Sequence, residues 1–362
     1  MVVMVQVENN HPTYNWSLND YPKNKNGFKV FSCFSCCGGS TMGYKLAGFD
    51  VIGCNEIDKR MMDVYIENHH PKYSYLDSIV DFKKRVDLPD ELYNLDILDG
   101  SPPCSSFSIA GNREKDWGKE KVFKEGQKKQ ILDTLFFDFI ELTNKLKPKV
   151  VVAENVTGLL IGNAKKYFNK ILVEFNKIGY NIQYYVLDAS KMGVPQKRKR
   201  VFFIGLRKDL INDDTCYVSE IFPPSLKINM NFNEKEITFD KIYDGGNNER
   251  PLKNIALELW NKRTNLDTDL ENVSKRFGRP NYFFNHKFIR NELCCNTITA
   301  NDVCCLYNEP RYRSTLELIK SGTFPNDFNF LNIEPRYAIG MSVPPLMIYR
   351  ISKEIEKILN YC

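Results

Sequence analysis

A thiol at a strand end is the first candidate for chemistry in this chain. The run LDILDG at 95–100 passes directly into SPPCSSFSIAG, so Cys104 follows Pro102 and Pro103. Two prolines fix φ and remove backbone donors, which holds the thiol rigidly at the lip of a sheet rather than inside the core. In open α/β sheets that carboxyl edge is where ligands bind. A nucleophilic cysteine must ionise, commonly with help from histidine. The chain offers only His11, His69, His70 and His286, none in a recognisable catalytic setting. Other strand ends supply polar groups instead. KVVVAENV places Glu154 and Asn155 after a strand, and VPQKRKRVFFIG places Gln196, Arg198 and Arg200 immediately before one. Strand alternation predicts that Arg198 and Arg200 share a face, with Lys197 and Lys199 on the other.

A second constellation lies upstream. The strand FKVFSC runs into CCGGSTMGYKLAGF, a turn with Gly38, Gly39 and Gly43, and DVIGCNE supplies a second strand ending at Glu56. Glycines let a ligand approach the backbone, and a carboxylate at the second strand end can accept from both ribose hydroxyls. Phe34 and Ile57 could stack an adenine while Asp77, beyond a possible third strand, accepts its exocyclic amine. The spacing is not GxGxxG and no phosphate cradle is evident, so S-adenosylmethionine and NAD both fit at this point.

Positioning these groups requires strands that alternate with helices. FKVFSC, DVIGCNE, LDILDG, KVVVAE, NIQYYVLD and RVFFIGL read as strands, with amphipathic helices over 127–147 and 164–178. The alternation implies an α/β fold built on a mixed, mainly parallel sheet. Residues 1–27 read as an N-terminal arm, 28–208 as the catalytic domain, 209–293 as a smaller loop-rich domain, and 294–362 as a C-terminal segment. The last helix of that segment, after Val343-Pro344-Pro345, returns to the first domain. With 362 residues and 43% apolar content the chain can fill real cores, which excludes overall disorder. The net charge of +5 permits nucleic-acid binding through local clusters. Eleven cysteines, several in adjacent pairs and without a secretory leader, point to free thiols in a reducing cytoplasm. The pairs Cys294-Cys295 and Cys304-Cys305 suit core packing better than a metal, and no run reaches the roughly 18 apolar residues of a membrane span.

Taken together, these elements resemble the DNA (cytosine-5) methyltransferases. FSCCGGSTMGYKLAGF with NEID, GSPPCSSFS, AENV, QKRKRVFFIG and GMSVPP occur in the family's order, over about 29–208 and 294–360. The resemblance implies a Rossmann-like S-adenosylmethionine-dependent fold, with 209–293 as the target-recognition domain. It assigns Phe34, Ser35, Cys36, Gly38, Gly39, Glu56, Ile57 and Asp77 to S-adenosylmethionine, with Ser342 and Val343 closing the site; the product would be S-adenosylhomocysteine. It makes Cys104 the nucleophile that adds to cytosine C6, Glu154 the acid at the N3 and N4 edge, and Arg198 and Arg200 the supporting cations. Ser105, Ser106, Arg113, Gln196 and Arg311 would contact DNA, and Arg311 with Glu317 would brace the recognition domain. No metal is implied. Departures are Cys36 for a usual glycine, Ser105 for glutamine, Met341 for asparagine and Ser314 for threonine.

The implied activity is methylation of C5 in a flipped-out cytosine within a short duplex sequence. The stretch 105–129 carries seven Lys or Arg against four acids, with Trp117 and Phe123, and suits a loop folding over DNA. The partners expected are duplex DNA and a paired restriction endonuclease, with the chain acting as a monomer away from membranes. Two other readings use much of the same machinery. A tRNA cytosine-5 methyltransferase would share Cys104 and Glu154, but this chain lacks the Cys-Phe-Thr signature usual there. A catalytically silent DNA-binding relative would have less reason to keep Cys104, Glu154 and Arg198 together.

Overall fold

The computed structural model describes residues 12–103, 120–121, 130–131, 134–162, 164–210, 227–247, 249–279, 283 and 285–361. Cys104, Ser105, Ser106 and Arg113, and most of the basic stretch after them, lie outside the described residues.

Seven strands form the central sheet: β1 (Lys29–Cys33), β2 (Asp50–Asn55), β3 (Tyr73–Tyr75), β4 (Ile97–Gly100), β7 (Val150–Val156), β8 (Tyr180–Asp188) and β9 (Lys199–Arg207). A short antiparallel pair, β5 (Glu120–Lys121) and β6 (Gln130–Ile131), stands apart from it. The spatial order is β3-β2-β1-β4-β7-β9-β8. From β3 to β7 the strands are parallel, whereas β9 pairs antiparallel with both β7 and β8. The mixed, mainly parallel sheet expected from the alternation is therefore present. Its strand order reverses between β1 and β4, the point where such sheets bind ligands. The glycine turn leaves β1 and the Pro-Pro segment leaves β4, so adjacent strands bring the two constellations together.

Strand alternation divides the core into two layers. Val30, Val51, Ile97, Val150, Val152, Phe202 and Ile204 face α1 (Gly39–Leu46) and α10 (Pro345–Leu359). Phe31, Ile52, Leu98, Val151, Val201 and Phe203 face the opposite layer, which contains α3 (Ile79–Phe82), α4 (Leu135–Leu146) and α5 (Ala164–Lys177). Helix α2 (Lys59–His69) follows β2. Each fully buried aliphatic or Phe side chain contributes roughly 1.5–3 kcal/mol, so losing either layer would unfold the sheet. The return of the final helix depends on Gly43: a Cβ there would lie 2.4 Å from Pro345 O and 2.5 Å from Ile348 Cβ.

One expectation is revised. Helix α4 begins at Leu135, not at 127, because Gln130 and Ile131 are taken into the pairing with β5. The N-terminal arm is also anchored: Trp16 is buried, its indole N–H donates to Thr323 O at 2.9 Å, and Ser17 and Leu18 bond to Asp327.

The smaller unit contains α6 (Asn254–Asn261), α7 (Leu270–Arg276) and the parallel pair β10 (Phe288–Ile289) and β11 (Cys305–Leu306). One of its cores gathers Leu252, Leu259, Trp260, Leu270, Val273, Phe288 and Cys305; another contains Phe239, Ile242, Ile289, Cys295, Cys304 and Leu306. The paired cysteines are thus free, buried packing residues, and Cys295, Cys304 and Cys305 join this unit's cores, whereas Ile298 between them packs in the layer with α1 and α10. Helices α8 (Thr315–Gly322) and α9 (Pro335–Met341) then lead back to α10. No helix among the described residues is long and apolar enough to cross a membrane.

Candidate active site

The turn after β1 is a compact, strained structure. Phe34 and Cys36 adopt left-handed φ of 53° and 50°, which side-chain-bearing residues rarely occupy. Gly38 has φ 94° and caps the N-terminus of α1; a Cβ there would meet His69 Nε2 at 2.0 Å. That imidazole lies 3.0 Å from Cys37 O and supports the turn from below. Burial holds His69 neutral, its pKa pushed down to about 3. Gly39 faces the C-terminal segment so closely that a Cβ would lie 2.3 Å from Val343 O and 2.9 Å from Ser342 Cβ. Ser342 Oγ donates to Ala338 O at 2.8 Å and lies 3.2 Å from Cys37 Sγ. The glycine turn and Ser342-Val343, more than 300 residues apart in sequence, are therefore in contact.

Glu56, just beyond β2, is buried against this turn. Its Oε2 accepts from Cys36 N at 2.8 Å, while Oε1 accepts from Ile57 N at 2.8 Å and Asp58 N at 2.9 Å. Burial raises its pKa, and the three backbone donors oppose that rise. A carboxylate has about four lone-pair sites, so one acceptor position remains, on Oε2. Asp77 is half-buried and pairs through Oδ2 with Arg85 at 2.8 Å, while its backbone carbonyl accepts from Asn55. Ser35 is buried and its N–H donates to Asn55 O at 3.2 Å. Phe34 packs against the α4 layer, its ring centroid 6.3 Å from that of Phe139.

The neighbouring strand ends bring the second constellation into place. Gly100 of β4 pairs with Ala153 of β7, so the Pro-Pro segment leaves beside Glu154 and Asn155. Asn155 Nδ2 donates to Pro102 O at 3.2 Å, tying the segment before Cys104 to the strand that carries Glu154. Antiparallel pairing sets Glu154 opposite Phe202 and Val156 opposite Arg200. Glu154 and Arg200 are therefore diagonal neighbours on one face, and Arg200 Nε lies 2.9 Å from Glu154 Oε1. Both side chains are largely enclosed, which strengthens this pair relative to a surface one.

Arg198 takes a different path. It is buried, with Nη1 donating to Ile298 O at 3.1 Å and both terminal nitrogens to Gly340 O at 3.3 Å. Burial and then Arg200 push its pKa down to about 9, and Glu154 opposes the shift. Its Nε has no partner among the described residues, an orphaned donor inside the site. The structure thus separates the two arginines: Arg200 holds the carboxylate, while Arg198 joins the catalytic sheet to the segments at 298 and 340.

Gln196 and Arg311 are corrected as DNA contacts. Gln196 is 1% exposed, donating to Ser321 O at 3.1 Å and accepting from Ile298 N at 2.9 Å. Arg311 is also 1% exposed; it pairs bidentately with Glu317 at 2.8 and 2.9 Å and reaches Glu309 at 2.6 Å. Buried polar groups must be satisfied internally, and these donors are already committed. The bracing role expected of Arg311 with Glu317 fits this geometry. Glu317 also completes the Ser314 capping box that starts α8.

Several supporting residues escaped the sequence reading. Asn155 links the two catalytic strand ends, His69 supports the glycine turn, and Asp99 bonds Ser32 and Tyr44 beneath it. Only Asn155 carried a signal, its place beside Glu154; the other partnerships join residues distant in sequence.

The model for the C-5 cytosine-specific DNA methylases matches residues 28–357. The Type II methyltransferase M.NgoPII of Neisseria gonorrhoeae is 37% identical over 192 residues, 53% of this chain and 52% of that protein. The alignment therefore spans about half the length of that relative. The Type II methyltransferase M.FnuDI of Fusobacterium nucleatum is 30% identical over 359 residues, 92% of this chain and 95% of its own length. Among solved structures, DNMT2 of Spodoptera frugiperda shares the fold with a TM-score of 0.61 at 17% identity, covering 91% of this chain and 99% of that one. With the glycine turn, the acid strand and most of the returning helix inside the matched span, the chain belongs to the C-5 cytosine-specific DNA methylase family.

Proposed function

We propose that this chain methylates C5 of cytosine in duplex DNA, with S-adenosylmethionine as donor and Cys104 as nucleophile. The observation that carries the reading is the junction of strand ends, where Asn155 fastens the Pro-Pro segment preceding Cys104 beside the Glu154–Arg200 pair. The residues present fit the cofactor. Glu56 retains one acceptor position for a ribose hydroxyl, Asp77 Oδ1 has no partner among the described residues and suits an exocyclic amine, and Phe34 and Ile57 offer faces for adenine. Ser342 and Val343 would close the methionine end. When bound, S-adenosylmethionine supplies an electrophilic methyl group.

The protein's task is to make a cytosine ring nucleophilic at C5. The Cys104 thiolate adds at C6 and breaks aromaticity. Negative charge then builds toward N3, where Glu154 would act as the acid at the base edge. Arg200 fixes one carboxyl oxygen, leaving the other for the base edge. Arg198, with its unpartnered Nε, supplies positive charge without needing to move. Loss of the C5 proton later expels the thiolate and restores the ring. Neither carbon is reachable in a stacked duplex, so the cytosine is extruded. The unit spanning 209–293, with a core reaching to 306, would read the flanking sequence. The Type II names of the relatives support a restriction endonuclease as cognate partner.

The deciding experiment is methylation of duplex DNA by wild type and Cys104→Ser, read as 5-methylcytosine. The variant should fold and bind DNA but leave it unmethylated, and a 5-fluorocytosine duplex should become covalently attached to wild type only. Undiminished methylation by the variant refutes the mechanism.

A further inference from the structure

The turn between α6 and α7 carries an apolar side chain where turn chemistry does not call for one. Residues Thr264 to Asp267 form a β-turn closed by Asp267 N–H donating to Thr264 O at 3.1 Å, with Asn265 and Leu266 at its tip. Glycine, asparagine and aspartate are the usual occupants of such a tip, because they tolerate its backbone or bond to it. Leu266 is instead 91% exposed, giving up the burial that stabilises most leucines. The turn that presents it is firmly fastened. The buried Asp267 carboxylate accepts from Thr264 N at 2.6 Å and Thr264 Oγ1 at 2.9 Å, and its two oxygens accept from Arg276 Nη1 at 2.7 and 2.9 Å. Arg290 Nη2 donates to Asn265 O at 3.0 Å and Asp267 O at 3.3 Å, with its guanidinium 3.8 Å over the Tyr307 ring centroid.

Tyr307 OH donates to Asn265 Oδ1 at 2.7 Å, which orients the amide and leaves its Nδ2 donor without a partner among the described residues. Arg290 keeps Nε and Nη1 in the same condition. A fixed tip therefore sets an N–H donor next to an aliphatic side chain, with positive charge alongside. That charge suits a nucleic acid better than an apolar protein partner. In the major groove, thymine is the base that shows an acceptor, O4, next to a methyl group. 5-Methylcytosine carries the same methyl but has a donor amine in place of O4, which Asn265 Nδ2 opposes. We propose that Asn265 and Leu266 read a thymine in the target sequence, Nδ2 donating to O4 and the leucine packing on the C5 methyl. Because the turn is ordered in advance, little conformational entropy is lost when it meets the base. This inference rests on the proposed function in one respect, that the unit carrying the turn is the one that meets duplex DNA.

The test begins with duplexes selected from a random pool by the full chain. Each thymine of the selected sequence is then replaced in turn by uracil, which lacks only the C5 methyl, and affinities are measured for wild type, Leu266→Ala and Asn265→Asp. One replacement should weaken wild type about four-fold, the worth of one buried methyl group, and leave Leu266→Ala unaffected. Asn265→Asp keeps an acceptor for Tyr307 but loses the donor, and should prefer cytosine to thymine at that position by about ten-fold. Comparing two duplexes on one variant cancels any change in its stability. Leu266→Ala that still tells thymine from uracil, Asn265→Asp that still prefers thymine to cytosine, or a selected sequence without thymine would each overturn the proposal. If the thymine preference depends on both side chains but no 5-methylcytosine forms, the reading of the turn stands and the proposed methyl transfer fails.

Discussion

Asp99 sits on β4 just before the Pro-Pro segment, 3% exposed, with neutral hydroxyls for company. Ser32 Oγ donates to it at 2.9 Å and Tyr44 OH at 3.3 Å. Burial raises its pKa from 3.8 to about 7; hydrogen bonds from Ser32, Tyr44 and Ser40 oppose the rise, and the charge of Glu154 adds to it. Because the folded protein holds this proton more tightly than the unfolded chain, the associated stability is full below about pH 4. It is lost as pH rises through about 7. At about 1.4 kcal/mol per tenfold change in proton affinity, the whole effect is about 4 kcal/mol. Asp99→Asn keeps the size and an acceptor for Tyr44 but cannot ionise. Urea unfolding of both proteins at acidic and alkaline pH isolates the group, since every other titration is common to the pair. Wild type should lose about 4 kcal/mol more than the variant between about pH 4 and pH 8. Stability curves that run parallel would show that Asp99 does not titrate in this range and refute the reasoning.

Other perturbations address the remaining contacts. Gly39→Ala forces a Cβ to within 2.3 Å of Val343 O, and should cost about 1–3 kcal/mol while raising the KM for S-adenosylmethionine more than that for DNA; equal shifts in both would contradict it. Trp16→Ala removes a buried indole and its bond to Thr323 O, 307 residues away in sequence, and calorimetry should record a loss of about 3–5 kcal/mol. Arg311→Ala leaves Glu317 buried without its partner and should cost about 3–5 kcal/mol. The same variant tests the correction at this residue: the dependence of DNA affinity on salt should keep its slope, whereas loss of a phosphate contact would reduce it by about 0.9.

Elements with local signals were legible from the chain. The short β-rich apolar runs KVVVAE and RVFFIGL placed β7 and β9, and the apolar spacing after Pro345 placed α10. Expectations failed where side-chain type suggested exposure but tertiary partners removed it. The resemblance implied DNA contacts at Arg311 and Gln196, yet both side chains are enclosed, Arg311 by Glu309 and Glu317 and Gln196 by Ser321 and Ile298. Ile131 and Leu132 extended the apolar stripe of α4 backward, but pairing of Gln130 and Ile131 with residues 120–121 competed with helix and won.

Residue order alone determined the kinds of group available and the strand ends from which they project, because strand periodicity, glycine turns and Pro-Pro stiffness are local properties of the chain. Tertiary structure decided which groups are paired. Sheet order made β1 and β4 neighbours, antiparallel register set Arg200 rather than Arg198 against Glu154, and the returning C-terminal segment brought Val343 against Gly39. Those choices depend on contacts between segments far apart in sequence, whose energies arise only when the sheet closes its two layers.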